Sequence, residues 1–119
     1  MSKKILICDD DQSTREGLKT ILAEQYDLIL CDSHVQCMEC LTQDQNVGLV
    51  MLDIKMPEAN GIETLKEIKE KHKSLPVALI TGYSSTEIAN EAAQSGADSY
   101  LTKPFKAEDI LATVEKYLN

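Results

Sequence analysis

The sequence predicts an α/β fold in which five parallel strands form one doubly wound sheet flanked by five helices, a (βα)5 arrangement. Short apolar runs alternate five times with amphipathic stretches. Most of these runs lack the polar alternation of half-exposed strands, which is typical of parallel strands covered on both faces. The pattern fills residues 1–119, a length that suits one hydrophobic core. We therefore expect a single domain.

The apolar runs place the strands. The five predicted strands cover residues 4–8, 27–31, 47–53, 76–81 and 99–103. Connections between successive parallel strands of one sheet are right-handed, and each needs a crossover, usually a helix. The stretches between the runs therefore have to be helices that pack on the two faces of the sheet.

Each of these stretches carries helical signals. Capping boxes begin at Ser13 and Ser33, and a similar polar start at Ser84 opens the fourth helix. Gly96 is expected to cap the end of that helix. Apolar side chains recur at helical spacing in the other four helices. These stripes are Leu18, Ile21 and Leu22; Cys37, Met38 and Leu41; Ile62, Leu65 and Ile68; and Ile110, Leu111, Val114 and Leu118.

The charge balance limits the partners. The formal net charge is -8, and nucleic acids and anionic membranes both bind positive patches. We therefore expect no direct nucleic-acid binding by this domain. The N-terminal apolar run is too short for a signal peptide or a transmembrane helix. The expected compartment is the cytoplasm, without a membrane segment.

The four cysteines suit a reducing compartment, where they pack as small apolar residues. Cys37 and Cys40 form a C-x-x-C pair that, with His34, resembles half a metal site or a redox motif. However, no second Cys/His pair follows at zinc-finger spacing, and the pair lies within a helical pattern. We expect both thiols to pack against the sheet, with a redox or metal role as the alternative.

Polar residues with reactive side chains follow the strands. Three acids, Asp9–Asp11, end the first strand, and Asp53, Thr81 and Lys103 end the third, fourth and fifth. In an open parallel sheet these ends share one edge, where ligands bind. Crowded carboxylates require a cation, and Mg²⁺ prefers such oxygen ligands, with Mn²⁺ as an alternative ion. One carboxylate could then act as a nucleophile toward phosphorus.

Four stretches together carry a family resemblance. In order and in register, "ILICDDDQS", "VMLDIKMPEANGIE", "ALITGY" and "SGADSYLTKPF" resemble the receiver domains of two-component response regulators, the CheY-like superfamily. The resemblance covers essentially the whole chain. It implies the flavodoxin-like strand order 2-1-3-4-5.

The resemblance also implies residue roles. Asp53 would be the phosphoacceptor. Asp9 and Asp10 match the acidic pair that binds the metal, with Asp10 as a direct ligand and Asp9 acting through water. Asp53 and the backbone carbonyl of Lys55 would complete the ligand set. Asp11 matches no ligand of the family and is expected to be solvated.

Further positions match the switch machinery of the family. Thr81 and Lys103 would contact the phosphoryl group, and Tyr100 would turn inward when Thr81 moves. The Lys103–Pro104 peptide bond would be cis. We also predict that the side chains of Lys55 and Tyr83 shield the acyl phosphate and set its lifetime.

The implied function is a phosphorelay switch. A sensor histidine kinase or a histidine phosphotransfer protein would phosphorylate Asp53 and change the face formed by the fourth helix, fifth strand and fifth helix. That face would control an output partner, a second receiver or a domain following Asn119. The chain would catalyse only its own phosphorylation and dephosphorylation. The alternative is an aspartate-nucleophile phosphatase, but Lys55 stands where such enzymes carry a second acid.

Overall fold

All five predicted strands form, and they lie side by side in one parallel sheet. The computed structural model describes residues 3–56, 59–82 and 86–118, with the backbone alone at 55, 56 and 59. The strands are β1 (Lys4–Cys8), β2 (Leu28–Cys31), β3 (Val47–Asp53), β4 (Val77–Thr81) and β5 (Ser99–Thr102). Their order is β2-β1-β3-β4-β5. The predicted fold and strand order are confirmed.

Five helices connect the strands and cover both faces of the sheet. They are α1 (Gln12–Leu22), α2 (His34–Gln43), α3 (Gly61–Lys71), α4 (Thr86–Gln94) and α5 (Ala107–Leu118). Apolar residues of α1 and α5 pack on one face, and those of α2, α3 and α4 pack on the other. No helix in the described ranges is long and apolar enough to cross a membrane.

The two-residue period of the strands divides the core between these faces. In β1, Ile5 and Ile7 pack toward α1 and α5, whereas Leu6 and Cys8 pack toward α2 and α3. All seven residues of β3 are buried because this strand lies in the middle of the sheet. The predicted helical stripes lie in the same two clusters and are fully or partly buried. The carboxyl ends of the strands are therefore positioned by strands whose side chains pack in the core on both faces of the sheet.

The helix caps agree with the sequence at two positions and correct it at a third. Ser33 caps α2 and accepts a hydrogen bond from the Gln36 amide. Gly96 follows α4 with φ +102, a left-handed conformation that glycine tolerates. The cap of α1 is Asp11 rather than Ser13, because the Asp11 carboxylate accepts from the Ser13 amide and the helix begins at Gln12, two residues earlier than a Ser13 cap implies. The predicted start at residues 84 and 85 lies outside the described residues.

The loop after β3 contains a feature that the sequence did not predict. A short antiparallel hairpin pairs Lys55–Met56 with Ala59–Asn60, and Asn60 caps α3. Gly61 follows and donates a hydrogen bond from its amide to the Ile54 carbonyl at 2.6 Å. Its φ is not positive, so glycine serves here for close approach and not for an unusual conformation. A Cβ atom at this position would collide with the carbonyl oxygen of Asp53 and with the backbone of Ile54.

Candidate functional site

Three carboxylates from two strand ends meet at one edge of the sheet. Asp9 and Asp10 directly follow β1, and Asp53 is the last residue of β3, the neighbouring strand. One carboxylate oxygen of each residue lies within 4.8 Å of the others. Asp9 and Asp53 are buried, with exposed fractions of 0% and 4%, whereas Asp10 is exposed. The cluster therefore has a buried floor and a solvent-facing side.

Lys103 brings a positive charge to this cluster from the end of β5. Its ammonium nitrogen lies 2.9 Å from Asp9 Oδ2 and 3.9 Å from Asp53 Oδ2. Burial alone would lower the pKa of Lys103, but the 2.9 Å ion pair with Asp9 and the charge of Asp53 raise it above its usual value. The lysine is therefore charged at neutral pH and in contact with two of the acids.

The backbone of β5 also positions this lysine next to Thr81. The Lys103 amide donates to the Thr81 carbonyl at 2.7 Å, which joins the ends of β4 and β5. Thr81 is completely buried. Four strand ends, those of β1, β3, β4 and β5, thus contribute a predicted site residue to one edge of the sheet.

A network of backbone contacts holds Asp9 in place. Its amide donates to the Cys31 carbonyl at 3.1 Å, which anchors it to the end of β2. Its Oδ1 atom accepts from the Asp11 amide at 2.9 Å. Its carbonyl oxygen accepts from Nη1 of Arg15 at 2.6 Å. Arg15 was not identified from the sequence, because an arginine acts neither as a nucleophile nor as a metal ligand. Its place on the first turns of α1, close to the acids, is the signal that could have identified it.

The donor set fits a hard divalent cation. Asp9 Oδ2 is fully buried and, among the described residues, accepts no hydrogen bond of good geometry, with only the ion pair to Lys103 beside it. Three carboxylates at this spacing repel one another, and a cation held by oxygen ligands relieves that repulsion. The geometry of the acids is therefore suited to Mg²⁺.

The remaining predicted residues differ in how far the structure describes them. Tyr100 lies on β5 opposite Leu79 of β4 and packs partly buried against the cluster that includes Ile88 of α4. Burial raises the pKa of its hydroxyl. The Lys103–Pro104 peptide bond is cis. Tyr83 and the side chain of Lys55 lie outside the described residues.

The C-x-x-C cysteines do not face each other. The neighbouring Cys37 thiol together with burial raises the pKa of Cys8, and the Cys8 thiol donates to the Ser33 carbonyl across 3.4 Å. Cys40 instead accepts a hydrogen bond from the Cys31 thiol, with 3.7 Å between the sulfur atoms.

His34 is engaged with α3 through both ring nitrogens. Nδ1 lies 2.6 Å from the Thr64 hydroxyl, and Nε2 lies 3.4 Å from Glu67 Oε1. In the described part of the chain, the only group of three or more potential metal ligands is the aspartate cluster. The half metal site suggested for His34, Cys37 and Cys40 is therefore not formed.

Comparison with known proteins agrees with this geometry. The family model of the response regulator receiver domain matches residues 5–115. The transcriptional regulatory protein ZraR of Escherichia coli (strain K12) is 42% identical over 115 residues, which are 96% of this chain and 26% of that protein. The response regulator MprA of Mycobacterium ulcerans (strain Agy99) is 34% identical over 119 residues, 99% of this chain and 51% of that protein. The chain thus spans about a quarter to a half of these relatives.

Solved structures show the same fold. A CheY-like receiver domain protein from Methanospirillum hungatei JF-1 superimposes with a TM-score of 0.91 at 28% identity, covering 98% of this chain and 93% of that one. The BeF3-activated DrrB receiver domain gives 0.88 at 30% identity, covering 99% and 98%. With a family model that matches nearly its whole length, the chain belongs to the response regulator receiver domain family.

Proposed function

We propose that Asp53 accepts a phosphoryl group and that the chain is a phosphorylation-controlled signalling switch that depends on Mg²⁺. The observation that carries this proposal is the convergence of Asp9, Asp10, Asp53 and Lys103 from three distant strand ends onto one edge of the sheet. Phosphoryl transfer requires in-line positioning and neutralisation of the phosphoryl oxygens. The site combines a buried carboxylate nucleophile with a cation and metal-binding oxygens.

Each residue of the site has its own role in the transfer of the phosphoryl group. A carboxylate oxygen of Asp53 forms a bond to phosphorus while the bond from phosphorus to the imidazole nitrogen of a donor phosphohistidine breaks. The Lys103 ammonium, 3.9 Å from Asp53 Oδ2, pairs with one phosphoryl oxygen, and the Thr81 hydroxyl donates to another. Asp9, Asp10, Asp53 and the Lys55 carbonyl would hold Mg²⁺, which neutralises charge on the phosphoryl oxygens when bound.

The phosphoryl group then acts on the α4–β5–α5 face. It carries a charge of about -1.5 to -2 at neutral pH in place of the single charge of the Asp53 carboxylate, which draws Thr81 and Lys103 toward Asp53. Tyr100, which is partly buried against the core on the side of the sheet covered by α2, α3 and α4, turns inward as Thr81 moves. The change biases two states of one surface.

Other proteins donate the phosphoryl group to Asp53 and respond to the change in the α4–β5–α5 face. The donor is a sensor histidine kinase or a histidine phosphotransfer protein. The α4–β5–α5 face passes the signal on through dimerisation, an output partner or an attached output domain. The longer relatives, which include a transcriptional regulatory protein, support the last of these.

A labelling experiment tests the proposal. The chain is incubated with a small phosphodonor such as acetyl phosphate, with and without Mg²⁺, and its intact mass is recorded. We expect the addition of one phosphoryl group, dependent on Mg²⁺ and absent from the Asp53→Asn variant. Asp10→Asn should abolish the Mg²⁺-dependent labelling, whereas Asp11→Asn should label normally. Labelling of Asp53→Asn at the wild-type level would refute Asp53 as the acceptor.

The same preparation distinguishes the switch from a phosphatase. A phosphatase would release phosphate steadily from small phosphate esters, whereas a receiver takes up one group per chain and then loses it slowly. We propose that the chain catalyses only its own phosphorylation and dephosphorylation. Steady turnover of esters that requires Asp53 would favour the hydrolase.

The lifetime of the phosphorylated form tests Lys55 and Tyr83. In the sequence they stand two positions after Asp53 and Thr81, and from this spacing we propose that their side chains shield the acyl phosphate from an attacking water. Replacing both with alanine should accelerate loss of the phosphoryl group, followed by mass spectrometry after removal of the donor. Unchanged decay would show that neither side chain shields the phosphate.

A further inference from the structure

Four thiols lie together on one side of the sheet, outside the phosphoacceptor site. Cys8 and Cys31 are paired neighbours on β1 and β2, and Cys37 and Cys40 lie on α2, which packs over them. The thiols form two pairs. Cys37 is the thiol next to Cys8, and the Cys31 thiol donates to Cys40 across 3.7 Å. The aspartate chemistry uses none of them.

The two pairs differ in exposure. Cys8 and Cys37 are both 0% exposed, so an oxidant from solvent cannot reach either sulfur without opening the core. Cys31 is also buried, but its partner Cys40 is partly exposed. Cys31 also belongs to β2, which is an edge strand of the sheet. Cys40 lies on α2, a helix whose outer side faces solvent. The Cys31–Cys40 pair is therefore the one that solvent can approach.

We propose that Cys31 and Cys40 are an oxidation site at which a peroxide forms a disulfide between β2 and α2. The sulfur atoms are 3.7 Å apart, so bonding requires a further approach to the S–S bond length of about 2.05 Å. The proposal excludes the linkage that the C-x-x-C motif suggests, because the sulfur of Cys40 contacts that of Cys31 and Cys37 is the neighbour of Cys8.

The chemistry balances with peroxide as the oxidant. The Cys40 sulfur, as thiolate, attacks one peroxide oxygen, the O–O bond breaks, and a sulfenic acid forms with release of water. The Cys31 sulfur then attacks the sulfenic sulfur, the S–S bond forms, and a second water leaves. Two thiols lose two electrons and two protons, and one peroxide is reduced to two waters. A thiol reductant reverses the bond.

The site lies one hydrogen bond away from the acidic cluster. The Cys31 carbonyl accepts from the Asp9 amide at 3.1 Å. A disulfide that draws the end of β2 toward α2 thus acts on the backbone that holds Asp9. This route gives the oxidation a physical connection to the metal-binding acids, but the disulfide itself does not depend on their function.

Peptide mapping of the oxidised chain tests the linkage. The reduced protein is treated with hydrogen peroxide, free thiols are alkylated, and the chain is cleaved after Glu and before Asp without reduction. Trypsin is unsuitable because no Lys or Arg separates Cys31, Cys37 and Cys40. The double digestion places them in separate fragments, residues 27–31, 32–39 and 40–43. We expect fragments 27–31 and 40–43 to be joined and fragment 32–39 to be alkylated.

Two matched variants complete the experiment. Cys37→Ala should still lose two hydrogen atoms on oxidation, and Cys40→Ala should not, with circular dichroism used to show that both keep the fold. A main product that joins fragments 32–39 and 40–43, or one that links Cys8 to Cys37, would overturn the proposal. Wild-type protein that keeps four alkylated thiols after treatment that leaves it folded would also overturn it.

Discussion

At the scale of single residues, Gly61 has no room for a side chain near the proposed phosphoacceptor Asp53. Gly61 is buried, and a Cβ atom added to it would collide with the carbonyl oxygen of Asp53 and the backbone of Ile54. Gly61→Ala should lower the free energy of unfolding by roughly 1–3 kcal/mol, because the backbone has to shift to admit a methyl group. Urea denaturation measures this loss.

Gly17 provides the matched control. It is exposed within α1, and a Cβ there would meet nothing within 4 Å. Gly17→Ala should raise the free energy of unfolding by about 0.5–1 kcal/mol, since alanine is the better helix former. Equal effects of the two substitutions would contradict the packing argument at Gly61.

Arg15 positions the acidic loop through the backbone of Asp9. Its guanidinium donates to the Asp9 carbonyl at 2.6 Å. Given the proposed Mg²⁺ site, Arg15→Gln should weaken Mg²⁺ binding about tenfold, measured by calorimetry, because groups that orient metal ligands have effects of this size. Lys19→Gln removes an equal charge from the exposed surface of the same helix. A similar loss in both variants would indicate a general charge effect and not positioning.

At the scale of elements, Asp98 connects α3, β4 and β5. Its Oδ2 atom accepts from the Val77 amide at 2.9 Å and from Lys69 Nζ at 2.6 Å, and Lys69 also donates to the Leu75 carbonyl. Asp98→Ala leaves the Val77 amide without this acceptor. We expect a loss of about 1–3 kcal/mol in the free energy of unfolding, measured in urea.

The pair between Lys71 and Glu67 on α3 serves as the comparison. These side chains lie 3.1 Å apart at i, i+4 spacing, and that of Lys71 is 61% exposed. Lys71→Ala should therefore change stability by less than about 0.5 kcal/mol. A larger loss of stability from Lys71→Ala than from Asp98→Ala would show that the hydrogen bond from the Val77 amide does not explain the effect of Asp98→Ala.

The contact between β1 and the end of α2 predicts a pH dependence. The side chain of Lys4 and the amide of Asn46 donate to the Asp44 carboxylate, and they hold its pKa below the ordinary value of 3.8. A lowered pKa in the folded state means that the stabilisation is present above 3.8 and is lost as pH falls through the folded pKa. Asp44→Asn should thus be less stable than wild type at neutral pH, and the difference should vanish in strong acid. A difference that is constant with pH would exclude the ion pair as its cause.

At the scale of the whole molecule, a chain with net charge -8 concentrates three carboxylates at one edge of its sheet. A cation that binds the folded state alone stabilises it by mass action, about 2.7 kcal/mol at a hundred times its dissociation constant. Mg²⁺ should therefore raise the midpoint of thermal unfolding of the wild type. Asp10→Asn should abolish this shift and, in metal-free buffer, raise stability by removing one repelling charge.

Asp11→Asn is the control for this effect. It removes the neighbouring charge but keeps the cap of α1, because asparagine caps a helix as well as aspartate does. Its Mg²⁺-dependent shift should equal that of the wild type. An equal shift in Asp10→Asn would instead place the ion away from the aspartate cluster.

Local and periodic properties of the chain could be predicted from the sequence. Unbroken apolar runs specified the five strands to within a residue or two, since burial on both faces removes polar alternation. Helical spacing identified the buried stripes, and Gly96 marked the end of α4. The carboxyl ends of parallel strands lie at one edge of a sheet, and this rule predicted that Asp9, Asp10, Asp53 and Lys103 lie close together.

Only the tertiary structure decided which atoms meet. Arg15 at the Asp9 carbonyl, Gly61 against Asp53 and the cross-pairing of Cys31 with Cys40 depend on side-chain directions and on how α1, α2 and α3 sit on the sheet. The sequence predicted that Cys37 and Cys40 pack against the sheet, and their full and partial burial in the core confirms this, but only the fold shows that Cys40 contacts Cys31. Sequence spacing records proximity along one element, whereas contact between elements follows from packing.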